Sequence, residues 1–306
     1  MNRDKIEHEP VLCEPLMSTV GPKPGEIVVD ATVGHGGHSS LMAQAIGETG
    51  RLIGLDVDVG NIERARQRLT ETAVSFRGSH IDLIRANFID LEQVLDSLGI
   101  ETADVILADL GVSTDQLLDE SLGLTFSQDA PLEMRLDDRL TTTATDLINS
   151  MSEKELAGLI YTNSQERYSR RIAKRICQVR REKRIRRTSE LVRIVCSALG
   201  VSEQSYGGKI HPATRVFLAF RIAVNNELDN LKLLLEASAK RLSFGGRIAV
   251  ISFHSGEDRL VKNDFRRRQK NGEYQILTKK PVGPTSDETS RNPRSRSAKL
   301  RVAMRR

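Results

Sequence analysis

The 306-residue sequence has no tryptophan, four tyrosines and eight phenylalanines. So sparse an aromatic set argues against a broad platform on which successive bases stack. Its three cysteines, Cys13, Cys177 and Cys196, lie far apart with no Cys-x-x-Cys pair. That excludes a disulfide framework and leaves reduced thiols in a cytoplasmic protein as the expectation. His35 and His38 have no cysteines or second histidine pair to complete a zinc set, so no metal is expected. No apolar run approaches membrane-spanning length, and residues 1–7 hold no apolar core of a leader peptide. No internal repeat is evident. What remains, 39% hydrophobic and 28% charged, fits a soluble globular protein of one large or two ordinary domains.

The net charge is only +5, but it is unevenly placed. Residues 167–187 hold eleven Lys or Arg and one acid, Glu182, and residues 291–306 hold seven basic residues and no acid. Such concentration suggests a polyanionic partner, most often a nucleic acid backbone. A solvated helix face and a ragged basic tail are the bland alternatives.

Apolar patterning predicts strands near 27–32, 51–56, 81–86 and 103–109, with helices near 37–46, 61–71 and 90–98. Asn61 is a candidate N-cap for the second of these helices. The alternation implies a parallel sheet with ligand loops at the strand C-termini. From 113 to 210 helical spacing dominates, which predicts an inserted helical lobe. A long helical stretch follows, with Val216, Phe220, Ala223, Leu228, Leu231 and Leu235 in phase. A Gly245-Gly246 turn then leads into a strand from 248 to 253, and Ser255 with Asp258 fits a capping-box-like helix start. Residues 271–293 hold three of the nine prolines and suggest loops, with late strands near 273–279 and 298–304.

The most informative stretch is Val28-Val29-Asp30-Ala31-Thr32-Val33-Gly34-His35-Gly36-Gly37-His38-Ser39, followed 22 residues after Gly34 by Asp56. Strand, glycine loop, helix and a second strand ending in an acid form a holder for a nucleoside-containing cofactor. The glycines admit close backbone approach, the helix start offers N–H groups, and the acid can accept from ribose hydroxyls. A dinucleotide fingerprint would carry Gly where Ser39 stands, and a pyrophosphate would be repelled by Asp30. The sulfonium and ammonium of S-adenosylmethionine would instead be attracted, so that cofactor is favoured over NAD. A plain strand–turn–helix is the alternative.

Asp109 ends the fourth strand, where a reacting substrate atom would sit. Its carboxylate could accept an N–H of an exocyclic amine and free the nitrogen lone pair, or hold the cofactor, or serve as an ordinary loop or N-capping acid. Ser252-Phe253-His254-Ser255 stands at a second strand tip. Phe253 could pack on a base and His254 could bond it, although a histidine there is also an ordinary polar residue. Asn87-Phe88 ends the third strand, where an adenine wall and simple core packing are equal readings.

Together these segments resemble one family. The stretches are His8-Glu9-Pro10-Val11-Leu12, the glycine loop, Asp109-Leu110-Gly111-Val112-Ser113-Thr114-Asp115-Gln116-Leu117, Ala130-Pro131-Leu132-Glu133-Met134-Arg135, His211-Pro212-Ala213-Thr214-Arg215, Ser252-Phe253-His254-Ser255-Gly256-Glu257-Asp258-Arg259 and Asn292-Pro293-Arg294-Ser295-Arg296-Ser297-Ala298-Lys299-Leu300-Arg301. In this order the chain is similar, nearly end to end, to the bacterial 16S ribosomal RNA cytosine-N4 methyltransferases, the ribosomal RNA small subunit methyltransferase H family. The resemblance implies a Rossmann-like class I S-adenosylmethionine-dependent methyltransferase with a mostly parallel seven-stranded sheet. It implies a core in two parts, 1–112 and 211–306, around an inserted helical substrate-recognition domain, 113–210. It implies cofactor contacts from Gly36, Gly37, His38, Asp56, Phe88, Asp109 and Gln116. Its substrate would be a cytidine of the 16S rRNA decoding centre (P site), within the small ribosomal subunit, methylated on N4 and splayed into the pocket. Asp109, Ser252 and His254 are the catalytic candidates. Arg170, Arg171, Lys174, Arg175, His211 and Arg215 are the expected RNA contacts.

The family usually has Arg at the position of Leu122, Phe at that of Leu124, Leu at that of Gly256 and Ser at that of Thr114. None of these changes touches an expected cofactor residue. An RNA-binding assembly factor with a relic pocket is a second reading, against which Gly36, Asp56 and Asp109 all stand. A DNA cytosine-N4 methyltransferase would carry a Pro-Pro motif after strand four, and the chain has no Pro-Pro anywhere.

Overall fold

The computed structural model describes residues 10–76, 80–202 and 211–306; His8, Glu9 and the expected boundary at 210 lie outside them. The chain divides into two compact units, one holding the chain up to Gly111 with Leu228–Arg306, the other Val112–Glu227.

In the first unit the order is α1 (Cys13–Val20), β1 (Ile27–Asp30), α2 (Gly37–Ile46), β2 (Arg51–Asp56), α3 (Val59–Phe76), β3 (His80–Arg85), α4 (Leu91–Ser97) and β4 (Ala103–Asp109). The second unit contains α5 (Thr114–Leu118), α6 (Ala144–Ser150), α7 (Glu153–Ser164), α8 (Ser169–Glu182), α9 (Thr188–Leu199) and α10 (Pro212–Val224). The chain then continues through α11 (Glu227–Arg241), β5 (Leu242–Ser252), α12 (Ser255–Lys270), β6 (Tyr274–Ile276), α13 (Ser286–Arg291) and β7 (Lys299–Arg305).

Among the described residues the sheet has seven strands in the order β3-β2-β1-β4-β5-β7-β6. The five strands from β3 to β5 run parallel, and β7 is antiparallel to both its neighbours. A mostly parallel seven-stranded sheet is the one expected from the sequence. Both faces are covered, which is why the central strands are apolar without interruption. Alternate residues go to opposite sides. Val29, Ile53, Ile106 and Ile248 pack with Leu95, Leu234 and Phe265, whereas Val28, Leu52, Val105 and Ala249 pack with Leu16, Met42 and Ile46.

Several local expectations are corrected. The helical unit runs to Glu227 because α10 buries Val216, Phe217 and Phe220 in that unit's own core. The long helix is two, α10 and α11, broken where Asn226 adopts φ +50° and the Asn225 amide bonds Met134 O and Leu136 N–H. Asp58, not Asn61, accepts the N–H groups at the start of α3. Gly245-Gly246 lies inside β5, where the register jumps from Ala103↔Leu242 to Val105↔Arg247. The basic segment after 291 is no ragged tail: it enters β7, with Arg301 buried against Asp258 at 2.7 Å. In the helical unit, Leu122 and Leu124 pack against the core. Gly123 (φ +58°) lies so close to the Pro131 carbonyl that a Cβ would fall 1.8 Å from its oxygen. Among the described residues no helix is long and apolar enough to cross a membrane.

Arg247 ties the pieces of the first unit together. Its guanidinium grips Glu26 with two bonds of 2.7 and 2.8 Å and donates to the carbonyls of Val20 and Gly21. Arg247→Met would strip both guanidinium bonds from a half-buried carboxylate, leaving it the Lys23 N–H, and would remove the donor to two carbonyls. The expected loss is ~3–5 kcal/mol of stability, read as a lower urea midpoint.

Candidate active site

Asp30, Asp56 and Asp109 terminate the neighbouring strands β1, β2 and β4. The strand order reverses between β1 and β4, and ligands of open α/β sheets bind at the carboxyl ends beside such a reversal. The loop from Ala31 to Gly36 crosses this edge. Gly34 N–H donates to Asp56 Oδ2 at 3.0 Å. Gly36, at φ +76°, is the N-cap of α2, and a Cβ there would lie 3.2 Å from Ala65 Cα on α3. A Cβ on Gly37 would meet Pro10 at 2.9 Å. The glycines thus serve helix contact and the Pro10–Leu12 segment as well as ligand approach. No side chain caps α2, and the Asp30 carboxylate reaches its first turn only through the Ser39 hydroxyl.

Asp30 is almost fully buried, so it can favour a cation only from beneath the loop. Its oxygens accept from Ser39 Oγ at 2.7 Å and Thr32 N–H at 3.2 Å. Thr32 Oγ1 in turn accepts the Asp109 N–H at 2.7 Å. Burial pushes Asp30 up to about 6, so at neutral pH it remains mostly charged and acts on its neighbours through space. Asp56 is also raised by burial, against the opposing bonds from Asp58, Gly34 and Asn61. Those three bonds leave a carboxylate with about one accepting direction in hand.

Asp109 has a different environment. Its Oδ1 is buried and has no hydrogen-bond partner among the described residues, while Oδ2 stands 3.6 Å from His38 Nδ1. Burial holds this carboxyl well above the ordinary range, and the charges of Asp30 and Glu257 push the same way. His38 is buried, its Nε2 2.8 Å from the Val11 carbonyl. That contact, with the Leu12 N–H donating to Glu288 Oε1 at 2.7 Å, pins the Pro10–Leu12 segment beside α2. Phe88, in a short 3-10 turn capped by Asn87, is partly buried against the sheet core.

The tip of β5 adjoins that of β4, in register at Asp109↔Ile251. Gly111 (φ +119°) lets the chain pass the Phe253 ring, 3.3 Å from where a Cβ would stand. The Ser252 hydroxyl donates to the Lys299 carbonyl at 3.4 Å. His254, rather than Ser255, is the N-cap of α12. Its Nδ1 accepts from Gly256 and Glu257 N–H, and Nε2 lies 3.2 Å from Glu257 Oε1. Glu257 Oε2 closes the box on the Phe253 and His254 N–H groups, while Asp258 pairs with Arg301. The Ser252 hydroxyl and His254 Nδ1 thus have structural partners, whereas Asp109 Oδ1 and His254 Nε2 are both buried without a hydrogen-bond partner among the described residues.

The remaining expected residues lie in the helical unit. Gln116 is buried in α5 and closes a capping box with Ser113. Arg170, Arg171, Lys174 and Arg175 are all exposed on α8, opposite buried Ile172, Ala173 and Ile176. His211 caps α10 through Nδ1 and packs on Phe126, and Arg215 faces Glu166 at 3.6 Å. Sequence reasoning missed Thr32 and Glu257. The His254-x-x-Glu257 spacing was a usable capping signal; nothing in the sequence singled out the Thr32 hydroxyl.

The model of the MraW methylase family matches residues 5–306. The chain belongs to the MraW methylase family. Among curated relatives, proteins named ribosomal RNA small subunit methyltransferase H are 43% identical over 304 residues in Koribacter versatilis (strain Ellin345) and 43% over 300 in Persephonella marina (strain DSM 14350 / EX-H1). A third, from Cyanothece sp. (strain PCC 7425 / ATCC 29141), is 45% identical over 298 residues. These alignments cover 99%, 98% and 97% of this chain and 95%, 99% and 94% of the relatives. Methylases of this family use S-adenosylmethionine. The geometry fits that cofactor: the acids at the strand tips suit a cationic ligand, and the buried Asp109 Oδ1 lacks a donor among the described residues.

Asp30 makes stability depend on pH in a defined direction. The unfolded carboxyl loses its proton near 3.8, the native one near 6, so between these values the native state binds more protons. Its contribution is therefore most favourable below about pH 4 and falls as the pH rises through 6. Asp30→Asn removes this fall. Relative to the wild type, the variant should gain about 3 kcal/mol between pH 4 and 7.5, measured by urea unfolding at each pH.

Proposed function

We propose that this methylase transfers a methyl group from S-adenosylmethionine to the exocyclic N4 of a specific cytidine in the decoding centre (P site) of 16S rRNA, in the cytoplasm. The observation that carries the chemistry is the buried Asp109 Oδ1 at the tip of β4, with no hydrogen-bond partner among the described residues. The relatives' name and the exposed cations of α8 support an RNA substrate.

In this reading Gly36, Gly37, His38, Asp56, Phe88, Asp109 and Gln116 hold the cofactor, which when bound supplies an electrophilic methyl on a sulfonium. Asp56 accepts from ribose hydroxyls, and Phe88 walls the adenine. An exocyclic amine is a weak nucleophile because its lone pair is delocalised into the ring. Asp109 Oδ1 would accept one of its N–H groups, turn the lone pair outward and take the proton as the N–C bond forms and the S–CH3 bond breaks, its electron pair returning to sulfur as the neutral thioether leaves. Ser252 and His254, with their structural partners, shape the wall on which the base rests. Arg170, Arg171, Lys174, Arg175, His211 and Arg215 belong to the RNA-facing side in the helical substrate-recognition domain.

The test is incubation with radiolabelled S-adenosylmethionine and small ribosomal subunits from cells lacking the gene, followed by nuclease digestion and mass spectrometry. Label on N4 of one decoding-centre cytidine is the expected result. Tight subunit binding without label would instead support an assembly factor with a relic pocket. Asp109→Asn should lower turnover by roughly 10²–10⁴-fold. Asp56→Ala should weaken cofactor binding in calorimetry by ~1.5–3 kcal/mol, the worth of a hydrogen bond to a charged acceptor.

A further inference from the structure

The basic run at 167–187 divides in two. Toward its C-terminal end most cations are committed within the helical unit. Arg180 donates to the Ile148 carbonyl, Lys183 pairs with Glu190, Arg184 with Asp146 and Arg187 with Asp129. At the N-terminal end, Arg167, Arg170, Arg171, Lys174 and Arg175 are exposed, and none is paired with an acid among the described residues. From 156 to 181 the sole acid is Glu166, which is buried, faces Arg215 and accepts the Tyr168 N–H. Like charges three and four residues apart on one helix lower its stability. No acid on the helix itself offsets that cost until Glu182 at its last residue.

The same end carries an unexpected use of a scarce residue. Of the four tyrosines, Tyr206 lies outside the described residues and Tyr274 is buried. The other two, Tyr161 and Tyr168, are 54% and 55% exposed. Tyr161 sits in the last turn of α7, and Tyr168 is the N-cap residue of α8. The connection is short, and Gln165, in the left-handed conformation, donates its N–H back to Tyr161 O. Both rings therefore stand at one end of the α7–α8 hairpin. Tyr168, Arg171 and Arg175 follow at i, i+3 and i+7, one exposed stripe of α8 flanking the buried Ile172 and Ile176.

We propose that this end of the hairpin docks a single-stranded segment of the substrate RNA, with unstacked bases on Tyr161 and Tyr168 and phosphates on Arg167, Arg170, Arg171, Lys174 and Arg175. The proposal rests on the RNA reading above and adds the surface and the form of the RNA. Cations without acids select a polyanion. Open aromatic rings among them select one whose base faces are free, which a duplex does not offer. The sparse aromatics exclude an extended platform, and two rings make a local one.

The test is fluorescence anisotropy of the full chain with a labelled, unstructured oligopyrimidine RNA of about 12 nucleotides, across a salt series. The double variant Tyr161→Ala, Tyr168→Ala should bind roughly 10-fold to 100-fold more weakly with an unchanged salt slope, because stacking is not electrostatic. Tyr161→Phe with Tyr168→Phe should bind as the wild type does. Changing Arg170, Arg171, Lys174 and Arg175 to Gln should weaken binding and reduce the slope by ~0.7 for each phosphate that is no longer neutralised. Unchanged S-adenosylmethionine affinity in calorimetry shows that each variant is folded. Undiminished affinity of the alanine variant would overturn the proposal. So would an equal loss on a duplex of the same length, or binding to phosphatidylglycerol vesicles in place of the RNA. Absence of methyl transfer with this RNA binding intact would count against the methyltransferase reading and leave the docking surface standing.

Discussion

A single buried carboxylate organises the ligand edge of the sheet. Asp30 accepts from Thr32 N–H and the Ser39 hydroxyl, and Thr32 passes the constraint on by accepting the Asp109 N–H. Those three bonds join the end of β1, the first turn of α2 and the end of β4. A serine in place of the third glycine of a dinucleotide fingerprint makes sense on this geometry, since its hydroxyl satisfies an acid that would otherwise be buried unpaired. The loop's shape is thus fixed from beneath, and its upper surface remains available.

The arrangement has an electrostatic cost. Asp30, Asp56 and Asp109 are all raised by burial, and Asp30 and Glu257 press on Asp109 in addition. Buried acids of like sign destabilise the protein without a cation, and a positively charged ligand relieves them. In the proposed reading, the same feature that weakens the fold on its own attracts a cationic cofactor.

The parallel half of the sheet was legible because its strands are apolar runs punctuated by glycine and acids, and Asp56 and Asp109 stand where that pattern placed them. The capping of α12 was only half legible. Ser255 looked like the cap by residue type, yet His254 with Glu257 takes the role because the ring nitrogen reaches two N–H groups. The break between α10 and α11 was hidden, since Val216 to Leu235 keep helical phase across it. Only the long-range bonds of Asn225 to Met134 and Leu136 decide it. The basic residues of α8 were visible in the sequence, but which of them pair within the helical unit depends on Asp129, Asp146 and Glu190, which arrive from other elements.

The Pro10–Leu12 segment bears on how the site comes into being. Pro10 lies against Gly37, Val11 O against His38, and the Leu12 N–H is held by Glu288, 276 residues further along the chain. Meanwhile β4 pairs with β5 across the whole helical unit, and β7 is added last between β5 and β6. Contacts of such separation form late, after much loop closure. A nascent chain emerging from the ribosome can fold its helical unit early, but it cannot complete the cofactor edge until nearly all of its residues have been made.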